Sequence, residues 1–268
     1  MSSVIDYYSS FDEWGRLDRE PLEFTNNMHY IKQYLPSSGA VLDNGAGPGK
    51  YAIELAKLGY HLTLSDLTPK LVELAKQKSS ELGLTEQFHG FHELNATHLD
   101  GLPSEHYAAS LMLGPLYHLQ KEEDRVLAVK ELYRVTKRDG VIFVAFQSRM
   151  RMTITSLQHP HQWKPNDNLD TINDFYEKGI FNHEDKGRFT GAYYYHIDEI
   201  KPFMERNGFE AIDLIGSSSI GGMLNNEQKQ YWADRDENEQ LIHFLIQSAK
   251  DPSVLGISSH LLYIGRRR

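Results

Sequence analysis

The chain has 268 residues, 40% hydrophobic and 24% charged, with a formal net charge of −9 and no cysteine. That is enough apolar sequence for one large globular domain with insertions, while the acidic balance argues against a nucleic acid backbone as substrate. The missing thiols exclude disulfides, thiolate metal sites and cysteine-dependent chemistry.

No apolar run approaches membrane-spanning length, and Met1 to Asp6 lacks a basic segment followed by an apolar one. The expectation is a cytoplasmic protein with no signal peptide and no membrane partner. Residues 1–35 begin with aromatic and charged stretches around Tyr7-Tyr8 and Phe11 to Leu17. Leu22, Met28, Ile31 and Leu35 then follow at a loose helical spacing that Pro36 stops.

Val41-Leu42-Asp43-Asn44-Gly45-Ala46-Gly47-Pro48-Gly49-Lys50-Tyr51 reads as a strand, a tight glycine turn and a helix N-terminus. Glycines admit positive φ and let a ligand approach the backbone, and the helix start offers free N–H groups. The dinucleotide fingerprint would place its third glycine where Lys50 stands. Asp43 would repel a pyrophosphate but attract an ammonium group. His61 to Asp66 alternates as a second strand ending in an acid, 17 residues beyond Gly49 (66 − 49). A carboxylate at that tip can accept both ribose hydroxyls. One acid for an amine and one for a ribose describe S-adenosylmethionine.

Val41 to Tyr51 resembles motif I of class I S-adenosylmethionine-dependent methyltransferases, and Leu64 to Pro69 resembles their second motif. The likeness extends over roughly Leu35 to Phe146. It implies a Rossmann-like α/β fold, a seven-stranded mixed sheet with an antiparallel last strand. It implies a donor site in which Asp43 and the Gly45-Ala46-Gly47 turn hold the amino-acid end, Asp66 the ribose, and Leu67 the adenine face. The family usually has an acid after strand three to take the adenine amino group. Here that position is Asn95, followed by Ala96. An amide oxygen can accept the same hydrogen bond, or Asn95 can serve as a turn former.

A first helix is expected from about Lys50 to Leu58 and a second from Pro69 to Leu82. Strand three is placed at about Gly90 to Leu94 and strand four at about Ala108 to Leu113. Another helix follows from Glu122 to Val135, an Asp139-Gly140 turn, and a buried-type strand from Val141 to Phe146. Leu113 to Leu119 resembles the fourth motif of small-molecule methyltransferases, and in that fold the strand-four tip lies beside the sulfonium. Tyr117 then faces the acceptor. His118 is the best-placed titratable group: either a base for the acceptor's proton or a hydrogen-bonding wall of the pocket. In related proteins an N-terminal helical segment covers the donor, which would bring Tyr8 and Arg16 to it and place Tyr8 with His118 as a catalytic residue on the acceptor side.

Residues 147–196 are long, polar and turn-rich, and read as a substrate-covering insertion. If extended, Tyr193 and Tyr195 share one face, offered to the acceptor, and Tyr194 takes the other. His89 with His92 and His159 with His161 lack a third ligand, so no metal is expected. A helix from Asp198 to Asn207 and a strand from Phe209 to Ile215 resume the core. Residues 217–254 form a second insertion, and His260 to Gly265 the last strand, ahead of a solvated Arg266-Arg267-Arg268 tail. The domain reading is therefore a cap at 1–35, a core at 36–146, 197–216 and 255–268, and insertions at 147–196 and 217–254.

The expected function is transfer of a methyl group to a small-molecule acceptor, with S-adenosylhomocysteine as co-product, by a monomer or homodimer. A non-catalytic S-adenosylmethionine-binding protein and an NAD(P)-dependent oxidoreductase are the alternatives.

Overall fold

Strand β1 (Ala40–Asn44) lies between β2 (His61–Asp66) and β4 (Tyr107–Met112). The computed structural model describes residues 2–15, 21–184, 191–235 and 237–268, so Arg16 lies outside the described residues. Two helices precede β1: α1 (Ser2–Ser10) and α2 (Pro21–Tyr34). The core then runs α3 (Lys50–Lys57), β2, α4 (Pro69–Glu81), β3 (Phe88–Glu93), β4, a single turn α5 (Pro115–His118), α6 (Glu122–Val135) and β5 (Thr136–Gln147).

The sheet order is β3-β2-β1-β4-β5-β9-β8, where β8 is Phe209–Gly216 and β9 is His260–Arg267. Strands β1 to β5 pair in parallel, and β9 is antiparallel to both β5 and β8. The chain order therefore reverses between β1 and β4, the switch point at which open α/β sheets bind ligands. Because β8 runs in the direction of β5, the ends of β1, β4, β5 and β8 and the start of β9 share one edge.

Helices cover both faces, so the central strands are apolar on both. Phe143 packs with Ile31, Leu55, Leu64, Leu111 and Ile264 on one face. Its neighbours Ile142 and Val144 pack with Met112, Leu132, Phe203 and Tyr263 on the other. Each such side chain contributes about 1.5–3 kcal/mol on burial. Helix α2 joins the first face through Met28, Tyr30 and Ile31, which seats the N-terminal segment against the core.

Two expectations change. Asp139-Gly140 does not separate helix from strand: β5 already pairs at Thr136, and its register with β4 slips before Val141. Asp139 takes φ +61, so the pair forms a bulge within the strand. Residues 147–196, read above as an insertion, are built of regular elements. They hold α7 (Arg149–Gln158), α8 (Leu169–Lys178) and the hairpin β6 (Ile180–Phe181)–β7 (Ala192–Tyr193). Local signals made these elements: Ser148 and Asn168 cap the two helices by accepting backbone N–H bonds, and Gly179 ends α8 in the left-handed region.

The arginine tail is the second. Arg266 and Arg267 belong to β9, Arg266 pairing with Val141 of β5 and Arg267 with Phe209 of β8. Arg267 is buried, donates to Thr136 O and Glu105 Oε1, and stacks 4.2 Å from the Tyr133 ring.

Helix α9 (Ile197–Arg206) leads back into β8. Residues after β8 form α10 (Asn226–Asp234), α11 (Asn238–Ser248) and α12 (Pro252–Leu255). The Tyr30 hydroxyl of α2 donates to Ile246 O of α11 at 2.7 Å.

Candidate active site

A cavity of about 430 Å³ opens at the switch point. Its walls come from the turn after β1, the tip of β2, residues 94–96 after β3, residues 113–121 after β4, helix α1, and Asn182 and Gly191 of the hairpin segment. It brings together Tyr8, Asp43, Gly45, Ala46, Gly47, Asp66, Leu67, Asn95, Ala96, Leu113, Tyr117 and His118.

The β1 turn is tied down by backbone. Gly45 N–H donates to Ser65 O at 2.7 Å, and Gly47 N–H donates to Asp66 Oδ2 at 2.8 Å. Gly45 sits at φ +70, and a Cβ there would fall 2.0 Å from Pro115 Cγ. Only glycine lets the β1 and β4 turns approach this closely.

Asp43 is 2% exposed, and its Oδ2 has no hydrogen-bond partner among the described residues. Burial pushes its carboxyl up to about 7; the Ala52 backbone N–H opposes the rise and nearby Asp66 adds to it. Asp66 is also held above the usual carboxylate range by burial, against the N–H groups of Thr68 and Gly47. Its Oδ1 accepts from Thr68 N at 2.8 Å. Each oxygen keeps a second lone pair for a ligand. Asn95 closes a local turn, Oδ1 accepting from Thr97 N at 3.1 Å, while it lines the cavity.

Across the cavity, Tyr8 Oη lies 2.9 Å from His118 Nε2. Burial lowers His118 to about 4, against a smaller opposing effect of the Gly191 backbone. The imidazole is therefore neutral at pH 7.

Tyr193 and Tyr195 are not among the cavity-lining residues. The alternation of the three tyrosines does hold: the rings of Tyr193 and Tyr195 meet at 4.7 Å, while Tyr194 packs on Phe175 and Phe181. What the shared face meets is Arg125, whose guanidinium lies 3.6 Å over Tyr193 and 5.7 Å from Tyr195. Arg125 also donates to Leu119 O and Gln120 O, so the tyrosines brace the wall from behind. Sequence reading missed Val4, Glu13, Lys121, Asp124 and Asn182 as lining residues. Lys121 and Asp124 follow the strand-four motif directly and could have been found there; Asn182 carries no local signal. Among the described residues no group of three His, Asp or Glu could hold a metal.

Residues 42–144 match a methyltransferase domain family. These residues form a class I S-adenosylmethionine-dependent methyltransferase domain. A putative methyltransferase of Bacillus subtilis is 26% identical over 57% of this chain and 56% of its own length. The glycine/sarcosine/dimethylglycine N-methyltransferase of Actinopolyspora halophila is 27% identical over 79% and 39%. A ubiquinone biosynthesis O-methyltransferase of Xylella fastidiosa is 36% identical over 31% and 36%. The chain spans about half the length or less of these curated relatives. The fold is shared with an S-adenosylmethionine-dependent methyltransferase of Methanosarcina mazei (18% identity, TM-score 0.59, 89% of this chain and 96% of that one). It is also shared with a Pyrococcus horikoshii protein (14%, 0.64, 98% and 99%).

The methyltransferase domain's residues fit that donor on two observations. The orphaned, buried Asp43 Oδ2 needs a cationic or N–H partner. The left-handed glycine turn at 45–49 leaves room beside it that any Cβ at Gly45 would disrupt.

Proposed function

We propose that the protein transfers the methyl group of S-adenosylmethionine to a small-molecule acceptor. The observation that carries this is the single cavity running from Asp43 to the Tyr8–His118 pair. Its two ends have different chemistry, acidic at one and aromatic with a neutral imidazole at the other. The N- and O-methyltransferases among the relatives bear small-molecule names, which supports the same class. In the described residues no helix is long and apolar enough to cross a membrane.

The bound donor supplies an electrophilic methyl on a sulfonium, already a good leaving group. The chain's task is alignment, which can supply up to about 7–11 kcal/mol in the best intramolecular cases. In this reading Asp43 holds the amino-acid end and Asp66 the ribose. Leu67 and Ala96 flank the adenine, Asn95 reads its edge, and Leu113 sits at the sulfonium end. His118 accepts the acceptor's O–H or N–H at Nε2, in place of the Tyr8 hydroxyl. A ring lowered to about 4 is a weak base, so orientation is the larger part of its work.

The test is incubation with methyl-labelled S-adenosylmethionine and a mixed library of small amines, phenols, alcohols and carboxylic acids. Label in a small product, matched by S-adenosylhomocysteine, is expected. Label entering only protein or nucleic acid, or donor binding without any transfer, overturns the proposal.

A further inference from the structure

The acceptor end of the cavity has a polar rim drawn from two distant segments. Gln120, Lys121 and Asp124 line it from the stretch that leads out of α5 into α6, and Asn182 lines it from the end of β6. Gln120 Nε2 bridges the segments, donating to Asn182 Oδ1 at 2.8 Å and to Phe181 O at 3.3 Å. Gly191 closes the joint: a Cβ there would fall 2.5 Å from Asn182 Oδ1 and 2.8 Å from Gln120 Nε2. Buried Arg125 fixes the rim from behind, donating to Leu119 O at 2.9 Å and to Gln120 O at 2.7 Å. The backbone that carries these side chains is therefore set before any ligand arrives.

The rim holds charges of both signs. The side chains of Lys121 and Asp124 make no ion pair or hydrogen bond among the described residues, with each other or with a neighbour. Asp124 is half-buried in the wall, and Lys121 is exposed. The bridge also leaves one spare group on each amide: Gln120 Oε1 can accept and Asn182 Nδ2 can donate. An anion alone would gain Lys121 but be repelled by Asp124. A cation alone would gain Asp124 but be repelled by Lys121. Only a group that carries both charges satisfies both side chains.

We propose that Gln120, Lys121, Asp124 and Asn182 form the acceptor-recognition subsite, and that it takes a zwitterionic head, an ammonium and a carboxylate on one small molecule. Lys121 and Asn182 Nδ2 hold the carboxylate, while Asp124 and Gln120 Oε1 hold the ammonium. The rest of the acceptor reaches from this rim toward His118. This inference deepens the methyltransferase reading and rests on it.

The test uses the full chain saturated with S-adenosylhomocysteine. Free amino acids and short amino carboxylic acids are screened for a further rise in melting temperature. Each is run beside its amide, which lacks the carboxylate, and its N-acetyl form, which lacks the ammonium. The zwitterions are expected to add a rise that neither blocked form adds. Lys121→Met should weaken the best zwitterion at least tenfold, as loss of a hydrogen bond to a charged group does, and bring it level with its amide. Asp124→Asn should weaken it likewise and bring it level with its N-acetyl form. Both variants should melt as the wild-type chain does and keep its shift with S-adenosylhomocysteine alone. Blocked forms that match the zwitterions, zwitterion binding indifferent to both substitutions, or no added rise from any compound overturns the proposal. Loss of the S-adenosylhomocysteine shift in folded variants overturns it too, since the rim would then belong to the donor. Absence of that shift in the wild-type chain is the separate signature that the methyltransferase reading has failed.

Discussion

Tyr8 Oη and His118 Nε2 meet at 2.9 Å, joining the N-terminal helix to the turn after β4 across 110 residues. Since burial holds His118 near 4, the ring is neutral, and its tautomer sets which of the two atoms donates. Helix α1 is also held by Lys70 Nζ, which donates to Ser9 O at 2.6 Å. Tyr8→Phe should therefore loosen α1 by about 1 kcal/mol, the net worth of one such bond. Faster amide exchange confined to α1 is the readout.

His118→Ala should lower turnover more than it lowers donor affinity, because the ring faces the acceptor end. The pH profile carries a sign. A folded value lowered to about 4, from an ordinary 6.5, means the unfolded chain binds more protons between those limits. Stability from this group is full above 6.5 and falls as the pH drops toward 4. Turnover should show no His118 limb between pH 6 and 8; an inflection there that vanishes in His118→Ala would contradict the burial argument.

Asp43 gives the opposite slope. Its carboxyl is raised to about 7 from 3.8, so between those values the folded, ligand-free protein binds the extra proton. Stability from this group is highest below 3.8 and declines as the pH rises to 7. A bound ammonium favours the carboxylate, so donor binding must release the proton. Affinity for S-adenosylhomocysteine should then rise by up to about tenfold per pH unit below 7 and level off above it. Asp66, also raised by burial, adds in the same direction. Asp43→Asn should stabilise the free protein at neutral pH, weaken the donor and flatten this dependence, as titration calorimetry would show.

Asp66→Ala should cost at least tenfold in donor affinity and also destabilise the fold. The structure shows why both: the carboxylate accepts from Gly47 N and Thr68 N, so its loss strands two turn N–H groups as well as any ribose hydroxyls. Gly45→Ala should abolish donor binding by a different route, forcing apart the β1 and β4 turns through the contact with Pro115. Comparing melting temperatures with and without S-adenosylhomocysteine separates the two effects.

The legible parts were those written in neighbouring residues. The strand, glycine turn and helix of 41–57 are one contiguous stretch, and Asp66, Asn95 and Leu113 each sit where a strand pattern stops. Tyr193 and Tyr195 show where local pattern ends. Alternation correctly put them on one face, but the group opposite that face is Arg125, 68 residues away (193 − 125), and no periodicity reports it. Arg267 was misread for the same reason, since its partners Thr136 and Glu105 lie far back in the chain. Asp139-Gly140 carries the composition of a turn, and the chain uses it for a bulge because β5 pairs with β4 on both sides of it.

An amine-bearing nucleoside, and not a dinucleotide, is the expected occupant of the cavity at the β1 turn. The direct measurement is a thermal-shift series with S-adenosylhomocysteine, S-adenosylmethionine, NAD and NADP, each in large excess, on the wild-type chain and on Asp43→Asn. A rise with the two sulfur nucleosides alone, smaller in the variant, is expected. A rise with NAD or NADP and none with the sulfur nucleosides would contradict it.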